Sequence, residues 1–162
     1  NLDQSFEIVL EDKLENRWEN YKDLLLDADP SKEMIEKYLF QSDMYIMKDK
    51  LISDPLKNVI AEAVVSKISD QLVEIKNIAV SKLYQGKGYG KAFIDWICSY
   101  YKSNFKIKLI KVGTSEYGQG FYQKCGFKYS HKIENFFIHN YQDPIFENGK
   151  QVKHMYYLAK EL

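Results

Sequence analysis

The chain has 162 residues, 45% of them hydrophobic and 15% aromatic, which is enough for one folded domain with a proper core and excludes a disordered or fibrous chain. Its formal net charge is zero, but residues 1–54 hold 14 Asp/Glu and 7 Lys/Arg whereas residues 55–162 hold 9 and 16. This layout gives no uniformly basic face for nucleic acid.

In chain order, Phe6, Ile8 and Leu10 alternate and predict a first strand over Phe6–Glu11. Trp18, Tyr21, Leu24 and Leu25 share one face of a predicted helix, Asn16–Asp27, which Asp29-Pro30 ends. Ser31 is placed to cap a short second helix, Lys32–Phe40. Met44–Met47 and Val59–Ile68 read as strands, with Asp54-Pro55 between them and Ser69-Asp70 as a turn into a further strand, Leu72–Val80. A helix with Phe93, Trp96, Ile97, Tyr100 and Tyr101 on one face runs to about Ser103, and Lys108–Gly113 is the next strand. Tyr117–Cys125 reads as a short helix that Gly126 ends. Phe127–Phe137 and Gln151–Leu158 are the last predicted strands, with Asn148-Gly149 as a tight turn before the second.

No apolar run reaches the length of a membrane span, and NLDQSFEIVLED lacks the basic start and apolar core of a signal peptide. A cytoplasmic protein with no membrane partner is the expectation. Cys98 and Cys125 form no C-x-x-C pair and are expected to be buried free thiols. His131, His139 and His154 lack metal-ligand spacing, so no metal is expected.

The centre of the chain is Leu72–Lys91, LVEIKNIAVSKLYQGKGYGK: an apolar strand, a turn with three glycines, then a helix. Glycines at a helix start let backbone N–H groups converge where the helix dipole is positive, which suits an anion such as a phosphate. The dinucleotide fingerprint G-x-G-x-x-G fails here, because Gly86, Gly88 and Gly90 give G-x-G-x-G. The nucleotide P-loop fails too, because Gly90-Lys91 is followed by Ala92 and Gln85 stands where its first glycine belongs. A third pattern, Q/R-x-x-G-x-G/A, is satisfied in full by Gln85–Gly90.

With that loop the sequence resembles the GNAT superfamily of acyl-CoA N-acyltransferases. Phe121–Phe127, FYQKCGF, is similar to the F-Y-x-K-x-G-F signature of the same family. The resemblance covers nearly the whole chain and is tightest from Leu72 to Phe127. It implies an α/β (α+β) fold in a single domain, 1–162, with a mixed central sheet flanked by helices. It also implies acetyl-CoA as co-substrate, with its pyrophosphate on Gln85, Gly86, Lys87, Gly88, Tyr89, Gly90 and Lys91 and its pantetheine arm along Ile78, Ala79 and Val80. The Ile78 N–H takes the oxyanion in this scheme, Glu74 the amine proton, and Tyr122 protonates the departing thiolate. The residue types fit those roles, although an exposed Glu74–Lys76 pair and a core tyrosine are the structural alternatives. Where the family often has Asn and Ala, this chain has Ser115 and Gly118; Ser115 takes the cofactor contact by resemblance.

The expected activity is acetyl transfer to a primary amine of a small molecule. A protein or peptide N-acetyltransferase and a non-catalytic acyl-CoA-binding module stay open, as does a homodimer. In the family the acceptor site is bounded by the first helices and the late loops. Here those helices carry Glu15, Glu19, Asp23, Asp27, Glu33 and Glu36, with Trp18 and Tyr21 as aromatic faces. Asp143 and Glu147 lie in the late segment Asn140–Lys150. These residues point to a cationic amine, with Trp18, Tyr21 and Asp143 as candidate contacts.

Overall fold

The computed structural model describes residues 5–162. It has a mixed α/β fold with a mostly antiparallel central sheet flanked by helices. The chain divides into two compact units, the residues up to Lys67 with Ile75–Ile97, and Ile68–Glu74 with Cys98–Leu162.

In the first unit, β1 (Phe6–Leu10), β2 (Asp43–Asp49), β3 (Val59–Lys67) and the later part of β4 (Leu72–Val80) lie side by side in that order. The β1–β2 and β2–β3 pairs are antiparallel. The predicted amphipathic helix forms as α1 (Leu14–Ala28), and Tyr21 and Leu25 bury into a cluster with Ile35, Leu39, Met44, Ile46 and Val64. The second helix, α2, is shorter than expected, Lys32–Glu36, and continues as turns to residue 41. Ser31 caps it by accepting the Met34 N–H at 3.2 Å. Buried Arg17 ties these pieces together, donating to the carbonyls of Leu39 at 2.8 Å, Ser42 at 2.6 Å and Glu11 at 3.2 Å. Those three carbonyls lie outside the helices and strands, and one guanidinium reaches all of them.

In the second unit the sheet order is the start of β4, then β5 (Leu109–Thr114), β9 (Met155–Glu161) and β6 (Lys128–Ile133). β9 pairs antiparallel with both β5 and β6. α3 (Tyr89–Phe105) gives its last eight residues to this unit, and α4 is Gln119–Lys124. Gly126 follows α4 at φ 93°, and a Cβ there would come within 3.2 Å of the Lys160 stem, whose ammonium bonds the Cys125 carbonyl. Glycine is thus required at this helix end. Cys98 and Cys125 are buried free thiols, as expected.

Two expectations need correction. The predicted strand Phe127–Phe137 ends at Ile133, and Phe136–Asn140 is a short helix, α5. Asn135, at φ 55°, turns the chain, its N–H bonds His154 Nδ1, and its carbonyl takes the N–H groups of Ile138 and His139. The predicted strand Gln151–Leu158 is split at Lys153–His154. Its first part, β8 (Lys150–Val152), pairs with β7 (Ile145–Glu147) as a separate hairpin. The turn of that hairpin is Asn148-Gly149, with φ values of 51° and 75°, as a two-residue turn of this type demands. No helix among the described residues is long and apolar enough to cross a membrane.

Glu62 on β3 breaks the apolar pattern of the first unit. It is fully buried, and neither carboxyl oxygen has a hydrogen-bond partner. Burial pushes its pKa well above the usual carboxylate range; the nearby Ala79 N–H opposes the shift without reaching hydrogen-bonding geometry. Burial without a partner thus favours the protonated acid over the carboxylate at Glu62. A carboxyl whose folded pKa is raised leaves stability intact below its unfolded pKa and removes it as pH rises through the folded value. Urea unfolding from pH 5 to 9 should show the native chain losing stability relative to Glu62→Gln as pH rises. Parallel curves for the two proteins would contradict this account of Glu62.

Candidate active site

The glycine loop belongs to the first unit. After β4, a 3-10 turn at Lys82–Tyr84 leads into the loop, and α3 begins at Tyr89. Gly86 and Gly88 take φ values of 74° and 93°, which a side chain at either position would strain. A Cβ built on Gly86 meets nothing within 4 Å, so the loop faces open space. The first helical bond runs from the Ala92 N–H to the Gly88 carbonyl at 3.1 Å. The N–H groups of Tyr89, Gly90 and Lys91 thus stand in the helix's first turn, ahead of any i−4 carbonyl inside the helix.

Side chains hold this loop in place. Gln85 Nε2 donates to the Val80 carbonyl at 2.9 Å, closing the loop onto the end of its strand. The Tyr84 hydroxyl donates to Asp49 at 2.8 Å, and its ring meets Tyr89 edge-on at 5.5 Å. Lys87 is exposed, and Lys91 pairs with Asp95 at 2.9 Å. Ile78, Ala79 and Val80 are half-buried at the end of β4. Open space, left-handed glycines and a helix start fit an anionic, phosphate-bearing ligand.

Glu74 lies in the second unit and is buried. An ammonium from a different strand reaches it, that of Lys111 on β5, 3.7 Å from Oε1. Lys111 also stands 5.3 Å from the centre of the Tyr157 ring, and Tyr157 stacks on His131 at 4.9 Å with the rings 13° apart. Strand register places Gly113 opposite Tyr157, and His131 opposite it on the other side, so these side chains line one face of β5, β9 and β6. Burial first, and the Glu74 carboxylate second, push the Tyr157 phenol up to about 12.

Tyr122 is on α4, half-buried, with its ring edge-on to Phe121 at 5.1 Å and Phe127 at 5.8 Å. The Ser115 hydroxyl is buried, donates to Glu147 at 2.9 Å and accepts the Tyr117 N–H at 3.2 Å. For Ser115 to donate to a cofactor, Glu147 would have to be displaced; one lone pair remains to accept from a ligand. Tyr21 takes the core place that its spacing also allowed: it is buried, and its hydroxyl bonds Glu11 at 3.1 Å. Trp18 packs beside that cluster with the Lys32 ammonium 4.9 Å over its ring, so a cation of this chain already sits on the indole. Asp143 is exposed, and so are Glu15, Glu19, Asp23, Asp27, Glu33 and Glu36. The acidic first helices thus present solvated carboxylates rather than a gathered pocket. No cluster of His, Cys, Asp and Glu that would hold a metal occurs among the described residues.

Residues 41–129 match the family model described as an acetyltransferase (GNAT) domain, which is more than half of the chain. The chain belongs to the GNAT acetyltransferase family. This GNAT chain is also 39% identical over 142 residues to the uncharacterized N-acetyltransferase YvbK of Bacillus subtilis (strain 168), a match over 86% of this chain and 88% of that one. Among solved structures it resembles a GNAT family acetyltransferase from Elizabethkingia anophelis with acetyl-CoA bound, at 32% identity and a TM-score of 0.84, covering 99% and 100% of the two chains. It also resembles a Bacillus subtilis acetyltransferase in complex with CoA, at 34% identity and a TM-score of 0.80, covering 97% and 99%.

Sequence reasoning missed Lys111, Tyr157 and His131 in this GNAT chain. Their grouping depends on β9 entering the sheet between β5 and β6, which no local pattern announces. The structure makes the grouping testable. In Glu74→Gln, the carbon-13 NMR titration of the Tyr157 ring should fall from about 12 toward the ordinary value of 10.0, stopping short because burial is the larger cause. An unmoved titration would mean that the Glu74 carboxylate does not act on Tyr157.

Proposed function

We propose that residues 1–162 form a single cytoplasmic N-acetyltransferase domain that passes the acetyl group of acetyl-CoA to a primary amine of a small molecule. The observation that carries this reading is the loop whose Gly86 and Gly88 are left-handed, with Gly86 open to space, set at the start of a 17-residue helix. Relatives of about one-third identity that bind acetyl-CoA or CoA support it.

Bound acetyl-CoA supplies an activated acyl thioester. The chain's own groups have distinct tasks. The N–H groups from Gly86 to Lys91 hold the pyrophosphate, and Lys87 adds positive charge. Gln85 keeps the loop shut by its bond to Val80. The backbone of Ile78, Ala79 and Val80 pairs with the pantetheine arm as an added strand would, and the Ile78 N–H faces the thioester oxygen. Glu74 receives the proton of the attacking amine, and the Tyr122 hydroxyl gives one to the departing sulfur. Ser115 contacts the cofactor through its remaining lone pair, or as a donor once Glu147 is displaced. Trp18 and Asp143 are retained as outer acceptor contacts; Tyr21 acts through the core that supports α1.

Two variants test this division. Gly88→Glu places a side chain and a negative charge in the phosphate site, and calorimetry should find no acetyl-CoA binding to the folded variant. Tyr122→Phe should lower kcat by about 10²–10⁴-fold with acetyl-CoA affinity nearly unchanged. Normal affinity in the first or normal turnover in the second would remove the corresponding role. Thiol release with protein N-termini and not with small amines would favour a peptide acetyltransferase.

A further inference from the structure

The charges beside Glu74 say something about the acceptor that the family does not. The Lys111 ammonium makes no hydrogen bond to any described residue: its polar and aromatic neighbours are the Glu74 carboxylate at 3.7 Å and the Tyr157 ring at 5.3 Å. A separation of 3.7 Å is an ion pair and too long for a hydrogen bond. All three ammonium donors are therefore unsatisfied by protein. The side chain is still 29% exposed, so a ligand can reach it.

Lys111 is also held in position. The Glu74 charge draws it from one side, and the face of Tyr157 supports it from the other. The Tyr157 ring is fixed in turn by stacking on His131 and by close packing over Gly113, where a Cβ would come within 3.1 Å of the ring. A cation oriented by its neighbours and left with free donors is a pre-formed anion contact. Next to it stands a carboxylate. The pair carries one charge of each sign, 3.7 Å apart.

We propose that Glu74 and Lys111 together recognise an acceptor that carries a carboxylate beside its amine: an α-amino acid, or another small amino carboxylate. The inference rests on the acetyl-transfer reading above. The acceptor's amino group lies against Glu74, and its carboxylate takes the hydrogen bonds that Lys111 has not spent. Lys111 is then a specificity-determining residue. A polyamine fits this locus poorly, because its second ammonium would meet Lys111 at close range with like charge. The cationic acceptor expected from the acidic first helices gives way to a zwitterionic one.

The test is thiol release from acetyl-CoA with a set of free L-amino acids, each paired with its carboxamide, and with spermidine for comparison. The carboxamide amine is the less basic, so more of it is neutral and reactive at pH 7.5; chemistry alone favours the amides. The native chain should instead prefer the acids by about 10- to 100-fold in kcat/KM, the range of one hydrogen bond to a charged group. In Lys111→Met that ratio should collapse to one or below, and Lys111→Arg should restore most of it. A general structural defect would slow acids and amides alike and leave the ratio standing. Equal turnover of acids and amides by the native chain, faster turnover of spermidine, or a ratio unchanged in Lys111→Met would each overturn the proposal. If no acceptor supports thiol release, the acetyl-transfer reading fails. Calorimetry of the same acids and amides against the acetyl-CoA-loaded chain then decides the recognition proposal separately: tighter, Lys111-dependent binding of the acids supports it, and equal or absent binding overturns it.

Discussion

Left-handed backbone at Gly86 and Gly88 is the constraint on which the passage from β4 into α3 depends. A residue with a Cβ is strained at those angles. With glycine, the chain leaves β4, makes a 3-10 turn and enters α3 with its first N–H groups pointing out of the helix start. Gln85 then anchors the loop to Val80, so the turn is fixed from the strand side as well as from the helix side. Tyr84, bonded to Asp49 and packed on Tyr89, adds a third anchor. A loop anchored in this way needs little rearrangement to meet a ligand, which is where a backbone site gains its affinity.

Buried polarity is used differently in the two units. In the first, Asn77 spans from the Leu25 carbonyl to the Tyr38 hydroxyl, at 3.0 and 3.1 Å, and Tyr38 continues to Asp29 at 2.8 Å. This network ties the end of α1 and the residues after α2 to β4, beside the buried Glu62. Burial and the Asp29 charge push the Tyr38 phenol far above its ordinary range, so it remains a hydroxyl that can both donate and accept. In the second unit the polar groups lie on one sheet face, where the Lys111 ammonium stands 3.7 Å from the Glu74 carboxylate. The first arrangement braces a scaffold, whereas the second sets two opposite side-chain types next to each other on a sheet face.

Much of the fold was legible because its signals are local. The strand–glycine–helix order from Leu72 to Tyr101, the Ser31 cap, the Gly126 stop and the Asn148-Gly149 turn each follow from neighbours in sequence. The errors have local causes too. Phe136, Phe137 and Ile138 read as strand by composition, but Asn135 supplies a carbonyl for two N–H groups and starts a helix instead. Glu62 was passed over because β3 is buried on both faces: Ala61, Ala63 and Val65 are as apolar as Ile60 and Val64, so alternation does not say which way the glutamate points. Lys111 was illegible for a deeper reason. Its partners come from β4 and β9, 37 and 46 residues away, and only strand order unites them. The glycine loop was readable from six adjacent residues; the grouping of Glu74, Lys111 and Tyr157 was not, because it is assembled by topology.

The central claim is that the Gly86–Lys91 backbone is an acyl-CoA phosphate site. An amide NMR titration with acetyl-CoA tests it most directly, since it reads the N–H groups themselves. The account predicts that the amides of Gly86 to Lys91 move most, saturably, and that 3′,5′-ADP, which lacks the pyrophosphate, moves them far less. Saturable binding that leaves those amides in place and shifts another part of the chain would contradict it.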